Sequence, residues 1–391
     1  MKGTVRARRD FPVLYLSVLA SRVGFGVIII IFPFYIQHAS DLSVAVALAL
    51  YPILEAATAV PVGRLCDTRG RKTVFVAALG YIAILMVAIG LTRDIYVIAA
   101  IHALMGLGAA GVTVSTLTMI TDLTGTGNRG KGMGTFDFSN VGGYGLGLVI
   151  GSVLRSAFAA DLSTAFFVTG LAVAVAFVIA AVLLKEPSHP KGGKDGGLNP
   201  LTALDAYSRA ILPVWLGVTV LLGMVFFLPR ALSLLGGGGS PPALFLVVGL
   251  LALGAGAVGF GALSDAIGRG KVLLIGVVGL FGLLLSILIS FDGTVESLLG
   301  NLPILGLFAL MTSALVPTIL ATVGDRAAFE RRGSAMGLYS VMLSGGSAVG
   351  TLVAGVAHLR SGLPGILEAA IGIFLVACAA SLVLWLRARS R

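Results

Sequence analysis

Charged residues are scarce in this chain of 391 residues, at 11% of the total, whereas 57% of the residues are hydrophobic. The mean hydropathy is +1.04. A soluble domain of this composition would have too little polar surface to cover its core. The lack of charge therefore excludes an ordinary soluble protein, and it predicts that lipid is the solvent for most of the chain.

Cysteine is almost absent, since the chain contains only Cys66 and Cys378. We place the first at the cytoplasmic side and the second in the last apolar stretch, so no disulfide and no metal site is expected. Two Gly-x-Gly-x-x-Gly patterns begin at Gly106 and Gly254, but both lie inside apolar stretches without a preceding strand. They are interpreted as packing glycines, and we expect no cofactor.

Long apolar stretches fill the rest of the sequence. They cover residues 11–37, 43–64, 73–92, 95–121, 133–158, 163–184, 210–235, 242–263, 271–291, 298–323, 334–357 and 363–386. A helix needs about 20 residues to cross roughly 30 Å of hydrocarbon, and barrel strands would alternate in polarity instead. The sequence therefore predicts an all-α membrane protein with twelve transmembrane helices.

The chain contains an internal duplication. Residues Gly63–Lys72 (GRLCDTRGRK) return as Gly261–Lys271 (GALSDAIGRGK), and Arg129–Gly134 returns as Arg332–Gly337. Duplicated membrane segments are typical of secondary transporters. We therefore expect two six-helix bundles related by pseudo-symmetry.

One linker interrupts the apolar pattern. Residues 185–205 are rich in proline, glycine and lysine, as expected for a connection outside the bilayer. We predict an N-terminal bundle over residues 1–186, a cytoplasmic linker over residues 187–208 and a C-terminal bundle over residues 209–391.

The distribution of positive charge orients the bundles. The predicted outside loops contain only Arg93, Arg155 and Arg360, and nearly all other Lys and Arg lie inside if both termini are cytoplasmic. This is the positive-inside rule. The net charge of +10 then reflects topology and contact with anionic lipid rather than nucleic-acid binding. We expect a multi-pass protein of the plasma membrane, acting as a monomer.

The loop between the second and third stretches resembles the signature motif of the major facilitator superfamily (MFS). The motif residues here are Gly63, Asp67, Gly70, Arg71 and Lys72, and Asp265 and Arg269 repeat it with departures at Ala266 and Gly270. The resemblance covers essentially the whole chain and implies the MFS fold, with a substrate site between the two halves.

The resemblance also implies a role for this loop as a cytoplasmic latch. Asp67 is implied to face the start of the eleventh span, near Ser334, and Arg71 to pair with acids that include Asp122. A carboxylate is favoured at a helix N-terminus by the backbone dipole. The alternative is that these charges only anchor a tight turn at the membrane surface.

A second family pattern occurs in the fourth stretch, where His102 stands in the position of an arginine. In relatives that arginine is associated with proton coupling. Histidine titrates near neutral pH, so His102 either retains a proton role or is a structural group in an apolar helix. The fifth stretch has the glycine spacing of the antiporter motif without its proline, which is also explained by helix packing.

Arg22 and Glu55 are predicted to lie near the middle of the bilayer. Ionisable groups at this depth cost roughly 3 kcal/mol or more and persist when they are paired or used. The two residues could form a structural ion pair, or a pair that a substrate or a proton opens. Their similar depth alone does not establish contact.

A polar stripe on the fifth stretch follows helical spacing through Asp137, Asn140 and Tyr144. It is interpreted as cavity lining, although Asp137 could instead interact with the dipole at the helix start. Arg230 of the seventh stretch could bind an anionic substrate or extend to the lipid headgroups.

The transporter class fits these features best. The histidines are scattered and no catalytic motif is present, so an intramembrane enzyme is a remote alternative. A channel would require a symmetric pore lining. We predict a secondary active transporter that works by alternating access, with proton-coupled export of a small lipophilic or cationic compound. The alternative is an organic-anion carrier that uses Arg22 and Arg230. Its partners are a small-molecule substrate, protons and the lipid bilayer.

Overall fold

The computed structural model describes residues 2–35, 41–157, 163–187, 205–233, 243–292, 297, 300–327 and 332–389. These residues form helices and contain no strand. The helices are α1 (Lys2–Tyr35), α2 (Asp41–Arg69), α3 (Arg71–Gly90), α4 (Ile95–Leu123), α5 (Arg129–Ala157), α6 (Ser163–Leu183), α7 (Ala206–Ser233), α8 (Ala243–Ile267), α9 (Arg269–Ser290), α10 (Leu302–Thr312), α11 (Leu315–Arg326) and α12 (Arg332–Arg389).

The predicted all-α fold is confirmed for the described part of the chain. Within that part, nine helical segments are long and apolar enough to cross a bilayer. The correspondence with the predicted stretches is not one to one: α10 and α11 together cover the tenth stretch, and α12 covers the eleventh and twelfth. The number of twelve spans and the cytoplasmic position of both termini stay predictions.

Gly362 divides α12 into a first arm (332–361) and a second arm (363–389). Its φ of 64° and ψ of −148° are not helical, and this left-handed region is one that glycine adopts at little cost. The continuous helical assignment therefore contains a sharp break at one residue.

Contacts with α7 show that the chain reverses at this break. The pairs along the first arm are Thr219 with Met342 and Phe227 with His358, and the pairs along the second arm are Val214 with Ser381 and Gly217 with Ala377. Along the first arm the residue numbers rise with those of α7, so this arm is parallel to α7. Along the second arm they fall as those of α7 rise, so this arm is antiparallel to α7. The two arms are therefore antiparallel, as the eleventh and twelfth spans are expected to be.

Two helix pairs join the halves. The first arm of α12 packs along α2, and α5 packs along α8. A side-chain carbon at Gly63 would lie 2.5 Å from the carbonyl oxygen of Gly333, and one at Gly134 would overlap the backbone of Ala257. Small residues thus let the backbones of the two halves come into contact. The duplicated segments occupy equivalent places in these two interfaces.

The predicted boundary between the bundles lies largely outside the described residues. The structure describes the chain up to Pro187 and again from Asp205, so the linker limits of 187 and 208 stay a prediction.

Candidate functional site

The Asp67 carboxylate lies at the start of α12, as the resemblance implied. Its Oδ1 accepts the backbone N–H of Gly333 at 3.0 Å, and its Oδ2 accepts the backbone N–H and the hydroxyl of Ser334, both at 3.0 Å. The first N–H groups of a helix have no partner within the helix, and they favour a negative charge. This contact joins α2 of the first half to α12 of the second.

Arg71 and Asp122 extend this contact. Arg71 Nε donates to Asp122 Oδ2 at 3.1 Å, and its Nη2 lies 3.5 Å from Asp67 Oδ1. Asp122 Oδ1 in turn accepts from Arg332 Nη1 of the second half at 3.1 Å. The side chains of Arg71 and Asp122 are almost fully buried. We name Asp67, Arg71 and Asp122, with Arg332 and Ser334, the first latch.

Gly70 and Lys72 shape the turn beside the first latch. Gly70 has a φ of 108°, and the carboxylate of Glu186 accepts the backbone N–H of Arg71 at 2.6 Å and that of Lys72 at 2.9 Å. Lys72 Nζ donates to the carbonyl of Ala181. Sequence reasoning missed Glu186, because nothing in the sequence connects the end of α6 with a turn more than a hundred residues earlier.

Asp265 makes the equivalent contact from the second half. Its two carboxylate oxygens accept the backbone N–H groups of Gly130 and Lys131, at 2.9 Å each, at the start of α5. Arg269 Nη1 pairs with Asp265 Oδ1 at 2.6 Å. The departures at Ala266 and Gly270 do not remove these contacts.

Arg129 and Asp325 complete the second arrangement. Asp325 accepts from Arg129 Nη1 of the first half at 2.5 Å and from Arg269 Nε at 3.1 Å. Asp325 thus corresponds to Asp122, and Arg129 corresponds to Arg332. We name Asp265, Arg269 and Asp325, with Arg129 and Lys131, the second latch. The duplication in the sequence relates Arg129 to Arg332 and Asp325 to Asp122. It did not predict that Arg129 and Asp325 pair with each other.

Arg22 and Glu55 lie inside the first half and are both buried. Arg22 donates to the hydroxyls of Tyr51 and Tyr144, each at 3.3 Å, and its Nη2 donates to Thr113 Oγ1 at 2.7 Å. The Thr113 hydroxyl donates to Glu55 Oε1 at 3.2 Å. The two predicted charges are therefore brought together through Thr113, a residue that sequence reasoning missed.

His102 joins the same region through a ring contact. Its imidazole stacks on Tyr51, with ring centroids 5.2 Å apart, and is buried. Tyr51 accepts from Arg22, so the histidine adjoins the central polar network. This position is compatible with either predicted role.

Asp137 is buried in α5 at the interface between the halves. Its neighbours Gly134 and Phe138 contact α8, and its charge acts on Tyr339 of α12. Asp137 Oδ2 has no hydrogen-bond partner, and no basic side chain among the described residues pairs with this carboxylate. The alternative role at the helix start is wrong, because α5 begins at Arg129, two turns earlier, and has no acid in its first turn.

The other predicted cavity residues differ in position. Asn140 follows Asp137 along α5, and its side-chain oxygen is buried without a hydrogen-bond partner. Tyr144 contacts Arg22 and, across the halves, Phe226, with ring centroids 6.0 Å apart. The side chain of Arg230 lies outside the described part of the structure, so its predicted role is untested.

Several further buried polar atoms on the helices that meet between the halves have no hydrogen-bond partner within the part of the chain that the structure describes. They are the hydroxyl oxygens of Thr116, Thr318, Ser340 and Ser344. Burying an unpaired hydroxyl costs roughly 1–3 kcal/mol, so such groups favour water or a polar ligand nearby. On each of these helices the unpaired hydroxyl lies nearer the middle of the helix than the latch residue does.

Asp205 forms a separate contact at the start of α7. Partial burial acts to raise the pKa of its carboxyl, but hydrogen bonds from Ser208 and Arg326 outweigh that effect and lower the pKa. The carboxylate accepts the backbone N–H of Ser208 at 2.9 Å and pairs with the guanidinium of Arg326. This ion pair ties the chain at the end of the linker to α11.

Two pseudo-symmetric halves, latches between them at one end and a polar centre define the class of a secondary membrane transporter. A family model for the Major Facilitator Superfamily matches residues 14–305 and 238–391. The chain belongs to this superfamily. It is a multi-pass membrane transporter and not an enzyme, and members of the family bind small-molecule substrates.

Two proteins similar to this chain are multidrug resistance proteins. The chain is 25% identical over 195 residues to the multidrug resistance protein MdtG of Proteus mirabilis (strain HI4320), covering 48% of each chain. It is 24% identical over 305 residues to MdtG of Escherichia coli O9:H4 (strain HS), covering 73% of each. The matches with the first curated relatives span about half of their length.

A solved structure is similar over nearly the whole chain. The crystal structure of the human organic anion transporter MFSD10 (TETRAN) matches with a TM-score of 0.80 and 17% identity, covering 96% of this chain and 99% of that one. At this identity the likeness establishes the fold.

Proposed function

We propose that this protein is a proton-coupled exporter of a small lipophilic or cationic compound. It works by alternating access, as a monomer in the plasma membrane. Asp137 is the acid that binds either a proton or the cation, and the central network of Arg22, Thr113 and Glu55 lies beside the same cavity.

Asp137 is the observation that carries the proposal. A charged carboxylate away from water costs several kcal/mol unless it is paired. Asp137 is buried between the halves, and no basic partner is found for it among the described residues. A proton or a cationic ligand would remove this cost. Alternate binding of the two at one carboxylate is the simplest form of exchange.

The latches support the alternating-access part of the proposal. Both lie at the same end of the molecule, and each joins the halves by an ion pair and by a carboxylate on a helix start. The positive-inside rule assigns this end to the cytoplasm. With this orientation the latched end is the cytoplasmic end, and rocking of the halves would have to break both latches.

Export and drug-type substrates draw support from the relatives. Two MdtG proteins are named multidrug resistance proteins, and a Candida albicans relative, 27% identical over 176 residues, is named an MFS antiporter. Aromatic rings near the polar centre, including Tyr51, Tyr144, Phe226 and Tyr339, would suit a lipophilic cation.

The test compares Asp137→Asn with Asp137→Glu in proteoliposomes with an imposed pH gradient and tetraphenylphosphonium as the probe. We expect Asp137→Asn to reduce proton-driven flux by at least about tenfold, because the amide neither takes up a proton nor pairs with a cation. Asp137→Glu should retain part of the flux. Asp94→Asn is the matched control, since Asp94 only caps the start of α4. Full coupling in Asp137→Asn would refute the proposal.

An organic-anion carrier is the second candidate, since the structural neighbour is named an organic anion transporter. Here Arg22 would bind the anion. In the structure Arg22 is held by three hydroxyls, so an anion would have to displace them. A ligand that binds the folded state raises its unfolding temperature. Stabilisation by organic anions that is lost in Arg22→Gln, without any response to lipophilic cations, would favour this candidate.

A further inference from the structure

Thr113 of α4 lies between the two charges at the centre of the first half. Its side chain is fully buried, and its hydroxyl accepts from Arg22 Nη2 at 2.7 Å while donating to Glu55 Oε1 at 3.2 Å. No direct ion pair between Arg22 and Glu55 is found in the described part of the chain. Hydrogen bonding between these two groups therefore passes through Thr113.

The chemistry of a hydroxyl makes this bridge sensitive to charge. A hydroxyl has one hydrogen and two lone pairs. While Glu55 is ionised, Thr113 can direct its hydrogen to Oε1 and offer a lone pair to Arg22. If Oε1 carries a proton, that oxygen becomes a donor, and the Thr113 hydrogen has to turn away. The orientation of the bridge thus depends on whether Glu55 is ionised.

We propose that Thr113 is a positioning residue that transmits the charge state of Glu55 to Arg22; this inference rests on the proposed proton coupling. A hydronium ion transfers its proton to a carboxylate oxygen of Glu55, so that one O–H bond forms on the carboxyl, one breaks in the hydronium ion, and a water molecule is left. Arg22 then loses the negative charge to which Thr113 linked it. Its uncompensated positive charge repels a cation in the cavity, so proton uptake favours release of the substrate.

The network reaches the second half at two places. The hydroxyl of Ser344, on the first arm of α12, lies beside the Glu55 carboxylate without completing a hydrogen bond. Tyr144, which accepts from Arg22, contacts the ring of Phe226 on α7. The network around Glu55 therefore adjoins two helices of the second half, α7 and α12.

The groups that face Glu55 come from several helices. They are Arg22 of α1, Tyr51 of α2, Thr113 of α4, Tyr144 of α5 and Ser344 of α12, with His102 of α4 stacked on Tyr51. Arg22 is the cation that acts on Glu55, and it does not titrate in the physiological range. The tyrosines titrate near pH 10 in water, far from the range of the proposed exchange. Glu55 and His102 are the groups to separate by experiment.

The first experiment follows the carboxyl band of Glu55 by infrared difference spectroscopy during a pH titration, with Glu55→Gln identifying the band and His102→Gln removing the histidine. Thr113→Val keeps the shape but removes the hydroxyl. We expect it to move the midpoint upward by about one pH unit or more, since the ionised carboxylate loses a donor. Thr113→Ser should keep the midpoint of the unmodified protein. Thr118→Val is the matched control, because the buried Thr118 hydroxyl donates to the Val114 carbonyl of its own helix.

The second experiment measures the pH profile of tetraphenylphosphonium flux. Thr113→Val should shift the profile in the same direction with KM changed by no more than about twofold, since Thr113 is not assigned a substrate contact. An unchanged titration and profile in Thr113→Val would overturn the inference. If Thr113→Val does not fold, Thr113→Ala provides the same comparison. If Thr113→Val shifts the Glu55 band while Asp137→Asn keeps normal flux, the role of Thr113 stands and the role of Asp137 is rejected. The failure of one proposal is therefore distinguishable from the failure of the other.

Discussion

Asp67 and Asp265 make the same contact in opposite directions. Each carboxylate lies at the end of a helix in one half and accepts two consecutive backbone N–H groups at the start of a helix in the other half. Arg71 and Arg269 lie beside them, four residues later. The two halves are therefore joined twice by equivalent contacts, and the second copy of the motif is engaged as well as the first.

We expect Asp67→Ala to favour the state open toward the cytoplasm. The substitution removes three hydrogen bonds from a charged acceptor, each worth about 1.5–3 kcal/mol when formed to a charged group. Even if other groups replace part of these hydrogen bonds, we expect a shift of about tenfold in the equilibrium between closed and open states. Spin labels at the exposed positions Thr68 and Ile267, in a background without native cysteines, would measure the separation of the halves. Asp94→Asn should give the unmodified distances, and unchanged distances in Asp67→Ala would contradict the latch role.

We expect Asp122→Asn to destabilise the protein more than Asp325→Asn. The Asp122 side chain is 2% exposed between Arg71 and Arg332, whereas Asp325 is 20% exposed between Arg129 and Arg269. Removing one partner of a buried ion pair costs about 3–5 kcal/mol, and partial exposure lowers that cost. Thermal unfolding of the two variants in detergent measures which one loses more stability. A larger loss in Asp325→Asn would show that burial does not decide the cost.

Gly70→Ala and Gly268→Ala form a matched pair. Both glycines have a positive φ, 108° and 100°, with ψ of 149° and 146°, a region essentially restricted to glycine, so alanine strains the backbone by about 1–3 kcal/mol at either position. At Gly70 the new carbon would also lie 2.8 Å from a carboxylate oxygen of Glu186, whereas nothing lies within 4 Å at Gly268. Gly70→Ala should therefore lower the unfolding temperature more. Adding Glu186→Ala should remove the difference, and an equal cost in both single variants would contradict the Glu186 contact.

The contact of Asp205 should depend on pH. Because its folded pKa is lowered, the stabilisation is fully present above the ordinary aspartate pKa of about 3.9 and is lost as the pH falls through the lower folded value. Asp205→Asn should therefore unfold at a lower temperature than the unmodified protein at pH 7. The two curves should converge as the pH falls below the ordinary aspartate pKa. A difference that persists in acid would point to the shape of the side chain rather than to its charge.

The helical fold and the first latch could be predicted because their signals are local or repeated. Continuous apolar runs predict helices in lipid. The motif around Asp67 and Arg71 implied contacts with Ser334 and Asp122 through its family resemblance. The division of the tenth stretch into α10 and α11 could not be read in the same way, because hydropathy continues across the break at residues 313–314.

The residues that sequence reasoning missed have ordinary local explanations. Thr113 resembles the other hydroxyl residues of α4, such as Thr118 and Thr121, which donate to their own helix. Only the packing of α1 and α2 against α4 distinguishes it. Glu186 follows an apolar helix at the membrane surface, where charged residues are usual. Its contact with α3 depends on how α6 lies beside α3, which no spacing in the sequence records.

Glu186 and Asp205 fix the two ends of the connection between the halves. The first is held on the start of α3 and the second on Arg326, so residues 187–204 lie between the two anchored positions. Fully extended, such a segment would reach about 60 Å. We therefore do not expect the length of this connection to limit how far the two halves can rock. If the two latches supply the resistance to opening, as proposed, a shortened connection should leave transport intact.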